Sequence, residues 1–243
     1  MNFLDHANWI EQCQLACARR TTAYIHPSHR FDDPAALQAL VAAHPLGAWV
    51  VQGDHGLVAN HLPFLLDHDR GPNGTLVGHV ARANPVWRQL GAATPSLVVF
   101  QGPQAYITPG WYPGKAAHGR VVPTWNYAVV HAHGMAQVVH DHAWLLAMLH
   151  RLTARHEAGR PQPWQVDHAP APFIDAMLGA IVGIEIPIAR LEGKRKASQD
   201  EDLQDRWGTV RGLRQDGQPT AALVADMVQA ALAADDAAAD GPA

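Results

Sequence analysis

Cysteine, lysine and long apolar runs are all scarce in this sequence, and each scarcity excludes a class of protein. The chain of 243 residues has two cysteines, Cys13 and Cys17, which are too few for a disulfide framework and do not form a Cys-x-x-Cys pair. No apolar run reaches the roughly 20 residues that a membrane-spanning helix needs. The first residues carry acids where a secretory signal needs cations, so the sequence predicts a cytoplasmic protein without a membrane partner.

Positive charge is also in short supply. The chain has 18 Lys and Arg against 22 Asp and Glu, a formal net charge of −4, and its three lysines are Lys115, Lys194 and Lys196. This balance provides no basic stripe for nucleic acid, and no helix-turn-helix pattern is present. Motifs for nucleophilic hydrolysis, nucleoside triphosphate binding, zinc proteolysis and dinucleotide binding are missing as well. The sequence gives no support to those chemistries.

The order of predicted elements indicates a mainly β fold with flanking helices. Two β-rich runs on either side of Gly53-Asp54-His55-Gly56 predict a hairpin. Short helices precede the hairpin and separate later strands, and their starts are marked by Asp33-Pro34, Asn84-Pro85 and Asp141. This order is typical of a small, mainly antiparallel barrel rather than of a doubly wound sheet.

Three regions are expected along the chain. Residues 1–22 form an N-terminal extension, residues 23–218 form the barrel with its helical additions, and residues 219–243 form an Ala-rich C-terminal tail that is partly disordered.

The stretch "GHVARANP" is the first candidate site. A strand runs into Arg82, and a helix begins at Asn84-Pro85, so a guanidinium lies next to the unpaired N–H groups of a helix start. This combination is a natural seat for a phosphate. The alternative is an ordinary strand-to-helix corner whose arginine extends into water.

The stretch "VPTWNYAVVHAHG", residues 122–134, is the second candidate site. If it is a strand, a small and mostly apolar face suits the core, and the opposite face carries Trp125, Tyr127, Val129, His131 and His133. That second face indicates either a groove for a flat ring or a subunit interface. His131 and His133 point the same way, but a stable metal site needs three or four ligands, so no metal is predicted.

The end of the last strand, "LEGKRKASQ", is the third candidate. Alternation places Lys194 and Lys196 on one side together with Ser198. The alternative is a solvated edge strand, where lysine commonly guards against pairing.

Taken together, these segments resemble the PaiB-like family of FMN-binding proteins, often labelled negative transcriptional regulators. The matching pieces are "YIHPSHRF", "ANHLPFLLD", "GHVARANP", "FQGPQAYITPGWYP", "VPTWNYAVVHAHG" and "PFIDAMLGAIVGIEIPIARLEGKRKASQ", in the family's order from about Tyr24 to beyond Gln199. The resemblance implies an FMN-binding split β-barrel of the flavin-reductase and pyridoxamine-phosphate-oxidase type. It also implies a homodimer with FMN at the subunit interface.

The resemblance further implies roles for particular residues. Arg82 and Asn84 would hold the phosphate, Asn60 and His61 would face the pyrimidine side of the ring, and His79 and Val80 would pass under the ring and ribityl chain. A second subunit would supply Trp125 and Asn126, and Lys194, Ser198 and Gln199 would close the site.

This chain departs from the family's usual pattern at a few positions. Gly110 and Gly114 stand where serine is usual, Arg195 stands where tryptophan is usual, and Asp200 stands in "SQDE" where the family shows "SQNR". If these positions touch the cofactor, FMN binding is weaker here or absent.

Three functions follow from the resemblance and the fold that it implies. The first is a regulatory flavoprotein, for which the label implies DNA contact that the charge does not support. The second is an FMN-dependent oxidoreductase or flavin reductase that uses NAD(P)H. The third is a haem-handling protein with a histidine as axial ligand.

Overall fold

The computed structural model describes residues 23–91 and 94–239, so the extension expected over residues 1–22 lies outside it. In this part of the chain there are eight strands: β1 Leu46–Gly53, β2 Gly56–Pro63, β3 Leu65–Asp67, β4 Thr75–Ala81, β5 Pro95–Ile107, β6 Thr124–Met135, β7 Gln137–Val139 and β8 Ile181–Lys196.

Six α-helices accompany the strands in the same residues: α1 Pro34–Ala43, α2 Pro113–His118, α3 His142–Glu157, α4 Ala171–Gly179, α5 Leu203–Gln215 and α6 Ala221–Ala239. Short 3-10 helices cover Pro27–His29, Pro85–Gln89, Pro109–Trp111 and Val166–His168. None of the helices in the described ranges has both the length and the apolar character that crossing a bilayer requires.

The strands form one sheet in the order β2-β1-β5-β6-β8-β4-β3, with β7 paired to β8. The predicted hairpin is present: β1 pairs antiparallel with β2, and Gly53 lies opposite Gly56. β1 also pairs antiparallel with β5, and β4 pairs antiparallel with β3 and β8. The mainly antiparallel architecture with flanking helices is therefore confirmed, although the sheet order ends at β2 and β3 rather than closing.

Capping residues start two of the helices where the sequence predicts. The Asp141 carboxylate accepts a hydrogen bond from the Trp144 N–H at 2.7 Å and begins α3. The Asn84 side chain accepts from the Val86 N–H at 3.0 Å, but the helix that follows is a 3-10 helix of five residues. The second helix start is thus correct in position, and the element is shorter and tighter than an α-helix.

The described chain divides into two compact units, each formed from separate stretches of sequence. Unit 1 consists of Pro34–Phe100 and His131–Leu191, and unit 2 consists of Ala23–Asp33, Gln101–Val130 and the residues from Glu192 onward. Helices α3 and α4 pack on the sheet of unit 1 through one buried cluster: Leu65, Val77, Leu145, Met148 and Leu178.

The core of unit 2 is built mainly from helices α5 and α6 and the end of β5. Its buried residues are Ala105, Ile107, Tyr112, Ala197, Val210, Leu213, Ala221, Val224, Ala225, Val228, Ala231 and Leu232. Gly212 of α5 packs directly against the side chain of Trp111. A Cβ placed on Gly212 would lie 2.2 Å from the indole ring. Only glycine permits this approach.

Helix α6 occupies much of the region expected to be a partly disordered tail. Ala221, Val224, Ala225 and Val228 recur at the spacing of one helix face, and all are buried. Alanine also has the highest intrinsic helix propensity. An Ala-rich composition therefore forms a packed helix here once a neighbouring apolar surface is present, and residues 240–243 lie outside the description.

Candidate functional site

Arg82 is anchored at the corner where β4 ends. Its Nε donates to the Gly179 carbonyl at 2.6 Å, its Nη2 donates to the Ile181 carbonyl at 2.8 Å, and its backbone N–H donates to the Ala180 carbonyl at 2.8 Å. Neither side-chain hydrogen bond uses Nη1. The guanidinium is therefore held in a fixed position, with one nitrogen outside its two carbonyl contacts.

Two asparagines meet next to this corner. Asn84 Nδ2 donates to Asn60 Oδ1 at 2.7 Å, which joins the 3-10 helix start to β2. Within the described residues, Asn60 Nδ2 is buried and has no hydrogen-bond partner. The Val86 N–H is already used by the Asn84 cap, so it is not one of the free amides that the sequence predicts at this helix start.

His79 and Val80 lie on β4, just before the corner. His79 is half-buried, and its Nδ1 has no partner among the described residues. Burial lowers the pKa of His79 below its ordinary value, which favours the neutral ring. Val80 is buried in the core and presents only its backbone. His61 lies on β2, next to Asn60, and is exposed.

The remaining predicted residues belong to unit 2. On β6, Asn126 is fully buried, whereas its neighbour Trp125 is 52% exposed, so the predicted alternation of faces is present here; it does not extend to His133, which is buried. Asn126 Nδ2 donates to the Ser198 hydroxyl at 2.8 Å, and in the described chain its Oδ1 is buried without a partner. Trp125 makes an edge contact with Tyr106, with ring centroids 6.1 Å apart.

The turn after β8 uses its polar side chains locally. Ser198 has a left-handed backbone with φ of 58°. Gln199 supports this turn, because its Oε1 accepts from the Ala197 N–H at 2.6 Å and its Nε2 donates to the Arg195 carbonyl at 2.7 Å. Ser198 and Gln199, two of the three residues expected to close a cofactor site, are therefore engaged within unit 2 itself.

Lys194 lies beside the aromatic ring of Tyr127, which is also a residue of unit 2. Its ammonium is 5.4 Å from the centroid of the Tyr127 ring. This Lys194 contact is a cation–π interaction, which stabilises a cation near an aromatic face.

A cavity of about 390 Å³ in unit 2 brings two predicted residues together with several that sequence reasoning missed. Trp125 and Lys194 line this cavity. Tyr127, Lys196 and Asp200, which the sequence analysis names without assigning them to the site, line it as well, and the missed lining residues are Tyr24, His26, His29 and Thr124. The available sequence signal was the His-x-x-His spacing in "YIHPSHRF", which attracts attention only once Asp200 is known to lie beside it.

Asp200 is hydrogen-bonded on both carboxylate oxygens. Ser28 Oγ donates to Oδ1 at 2.7 Å, and His29 Nε2 lies 2.8 Å from Oδ2. Burial raises the pKa of Asp200, but the hydrogen bonds from Ser28 and His29 outweigh it, so the net pKa is lowered. Burial lowers the pKa of His29, although Asp200 opposes this shift.

The other departures from the family pattern also have structural consequences in unit 2. The Gly114 N–H donates to Asp205 Oδ1 at 2.9 Å, and a Cβ on Gly114 would lie 2.7 Å from Asp205 Oδ2. A serine at this position would therefore displace that carboxylate. Arg195 stacks on the Phe31 ring at 4.8 Å, and Gly110 has room for a side chain.

Comparison with solved structures identifies the class of fold. The described sheet and helices are similar to the FAD and haem binding protein from Mycobacterium smegmatis, with a TM-score of 0.50, 17% identity, and coverage of 69% of this chain and 73% of that chain. They are also similar to the flavocytochrome Anf3 from Azotobacter vinelandii, with a TM-score of 0.54, 14% identity, and coverage of 73% and 74%. The fold is that of the flavin-binding split barrels.

Comparison of sequences then identifies the family. The chain belongs to the family of FMN-binding domains whose model, described as "Putative FMN-binding domain", matches residues 23–190. Protease synthase and sporulation protein PAI 2 of Bacillus subtilis is 31% identical over 172 residues, covering 71% of this chain and 80% of that protein. An uncharacterized protein of Emericella nidulans is 32% identical over 241 residues, covering 85% and 96%. The PaiB-like resemblance is confirmed, and FMN is the cofactor of this family.

Proposed function

We propose that this chain is a regulatory flavoprotein that holds the FMN phosphate at the corner after β4. The observation that carries the proposal is the Arg82 guanidinium, which two backbone carbonyls fix in place while Nη1 stays outside those contacts. Asn60 is held next to this corner because its Oδ1 accepts a hydrogen bond from Asn84. Its Nδ2 is a buried donor without a partner among the described residues. A buried donor without a partner costs about 1–3 kcal/mol, and a ligand acceptor recovers that free energy.

The groups at this corner match the chemistry of FMN. Its phosphate accepts charge-assisted hydrogen bonds from a guanidinium, and the edge of its ring offers acceptors to amide donors. His79, with an unpaired and buried Nδ1, adds a second polar contact on β4. When bound, FMN supplies electron-transfer chemistry, while these residues bind and orient it.

Phosphate recognition is needed because stacking alone is too weak. Burial of one to two hundred Å² of ring at ~25 cal/mol per Å² yields about 2.5–5 kcal/mol. A micromolar complex needs roughly 8 kcal/mol net, after an association cost of at least ~4 kcal/mol. Charge-assisted hydrogen bonds of ~1.5–3 kcal/mol each make up the difference.

The homodimer remains part of the proposal. The family resemblance implies that a second copy supplies Trp125 and Asn126. The 52% exposure of Trp125 supports a surface that a partner covers, whereas the Asn126 side chain is buried against Ser198 of its own chain. The regulatory role is exercised through the flavin or a protein partner, because a net charge of −4 does not favour direct DNA contact. The cytoplasmic location expected from the sequence belongs to the same proposal.

Arg82→Ala tests the phosphate site when FMN and riboflavin are compared as ligands. Riboflavin lacks the phosphate, so we expect the substitution to weaken FMN binding at least tenfold and to leave riboflavin binding nearly unchanged. Flavin fluorescence titration measures both affinities. Arg88→Ala serves as a control, because Arg88 is an exposed arginine near the same corner and stacks on Trp87. Equal losses for FMN and riboflavin would show that Arg82 acts only on the fold.

The role of the flavin needs separate measurements on the FMN-loaded protein. We expect flavin absorption without a haem Soret band, slow bleaching by NADH or NADPH, and no salt-dependent mobility shift with DNA. Rapid bleaching with turnover would replace the regulatory role with the oxidoreductase. A Soret band in the purified protein would indicate haem handling instead.

A further inference from the structure

Three residues of unit 2 that the flavin proposal does not use form a hydrogen-bonded cluster with Ser28. His26, His29 and Asp200 all line the unit 2 cavity. Ser28 Oγ lies 2.7 Å from His26 Nδ1 and donates to Asp200 Oδ1, while His29 Nε2 contacts the other carboxylate oxygen. Two imidazoles and one carboxylate therefore converge from segments 171 residues apart.

The spacing of these groups suits a shared ion. One ligand atom from each of His26, His29 and Asp200 can be chosen so that all three lie within 4.8 Å of one another. Two ligands bound to the same tetrahedral ion at about 2.1 Å each lie about 3.4 Å apart. Displacements that shorten the ligand separations by at most about 1.4 Å would thus complete the site. His26 and Asp200 are exposed, whereas the buried His29 provides a fixed ligand.

We propose that His26, His29 and Asp200 bind a divalent transition-metal ion. Two imidazole nitrogens and one carboxylate oxygen are a donor set that suits zinc and iron(II), whereas calcium and magnesium prefer oxygen ligands alone. The Ser28 hydroxyl donates a hydrogen bond to the Asp200 carboxylate and so orients it, as groups hydrogen-bonded to metal ligands do. None of the three proposed ligands is assigned to the flavin, although Trp125 and Lys194, which are, line the same cavity.

The surroundings of the proposed metal site determine how tightly it binds an ion and whether a small molecule can reach that ion. Three protein ligands leave coordination positions open, and the cavity of about 390 Å³ gives a small molecule access to them. Lys194 and Lys196 line the same cavity, and their charges oppose a bound cation. We therefore expect weaker binding than in a structural zinc site whose four ligands all come from protein.

The test is equilibrium dialysis of the full chain against Zn²⁺, with Co²⁺ absorption in the visible range as the readout of coordination. The parent protein is expected to bind one ion that Asp200→Asn and His26→Gln each bind at least tenfold more weakly. His118→Gln is the matched control, because His118 is an exposed histidine of unit 2 outside the cluster. This variant is expected to bind the ion as the parent does.

The chosen variants keep the result interpretable. Asparagine at position 200 still accepts from Ser28, and the thermal midpoint of each variant without metal reports its folding. If Asp200→Asn unfolds early, His26→Gln decides, because its side chain is exposed. FMN content per chain should stay constant across the variants, which separates this proposal from the flavin site. The metal site is disproved if the parent binds no ion, or if both cluster variants bind it as tightly as the parent.

Discussion

At the scale of single residues, His79 links burial to a pH dependence. Burial lowers its pKa in the folded protein below the ordinary value of 6.5. Above that value both folded and unfolded chains hold the neutral ring, so His79 contributes nothing to the pH slope. As pH falls below it, the unfolded chain binds a proton that the folded chain resists, so stability decreases towards acid pH.

His79→Gln should therefore reduce the acid-side loss of stability in the flavin-free protein. Urea unfolding at about pH 7.5 and about pH 5.5 measures the difference for parent and variant. The loss is expected to shrink rather than vanish, because the pKa of His29 is lowered as well. His61→Gln is the control for the exchange of a histidine for glutamine at an exposed position. Identical slopes in all three proteins would contradict the assignment to His79.

At the scale of elements, α6 shows how context turns a weak sequence pattern into structure. Val228 is fully buried on this helix, whereas Leu223 is 50% exposed. Val228→Ala removes buried methyl groups from the core of unit 2 and should cost about 1–3 kcal/mol of unfolding free energy. Leu223→Ala should change it by less than about 0.5 kcal/mol.

Denaturant unfolding of the two α6 variants provides the comparison. Each removes an apolar side chain from the same helix, so intrinsic helix propensity changes in the same direction for both. A similar cost for both substitutions would mean that α6 does not pack against the rest of unit 2 in solution.

At the scale of the whole molecule, Trp125 tests the proposed dimer. If one surface serves both subunit contact and flavin binding, Trp125→Ala should lower dimer content and FMN retention together. Sedimentation velocity and flavin per chain measure the two quantities. Trp164→Ala is a suitable control, because Trp164 is a similarly exposed tryptophan, at 46%, and is not one of the predicted site residues. Loss of flavin from a variant that still dimerises normally would separate the two roles.

Local patterns allowed much of this architecture to be predicted. The hairpin around Gly53 and Gly56 and the helix start at Asp141 depend on neighbours in sequence, and each is present as expected. The alternation along β6 likewise buries Asn126 and exposes Trp125. The site residues were placed by resemblance, and their contacts with FMN remain a prediction. What the structure adds there is the anchoring of Arg82 and the pairing of Asn60 with Asn84.

The amino-acid sequence by itself determined the family, the strand pattern and the position of the corner after β4, because each depends on residues that are close together in sequence. Only the tertiary structure decided which distant groups meet. The backbone of Arg30 forms an isolated antiparallel β-bridge with that of Lys194, and the Phe31 N–H donates to the Gly193 carbonyl. This backbone pairing brings the segment with His29 next to Asp200. Contacts across such separations depend on how the whole chain packs, so no local spacing of residues encodes them.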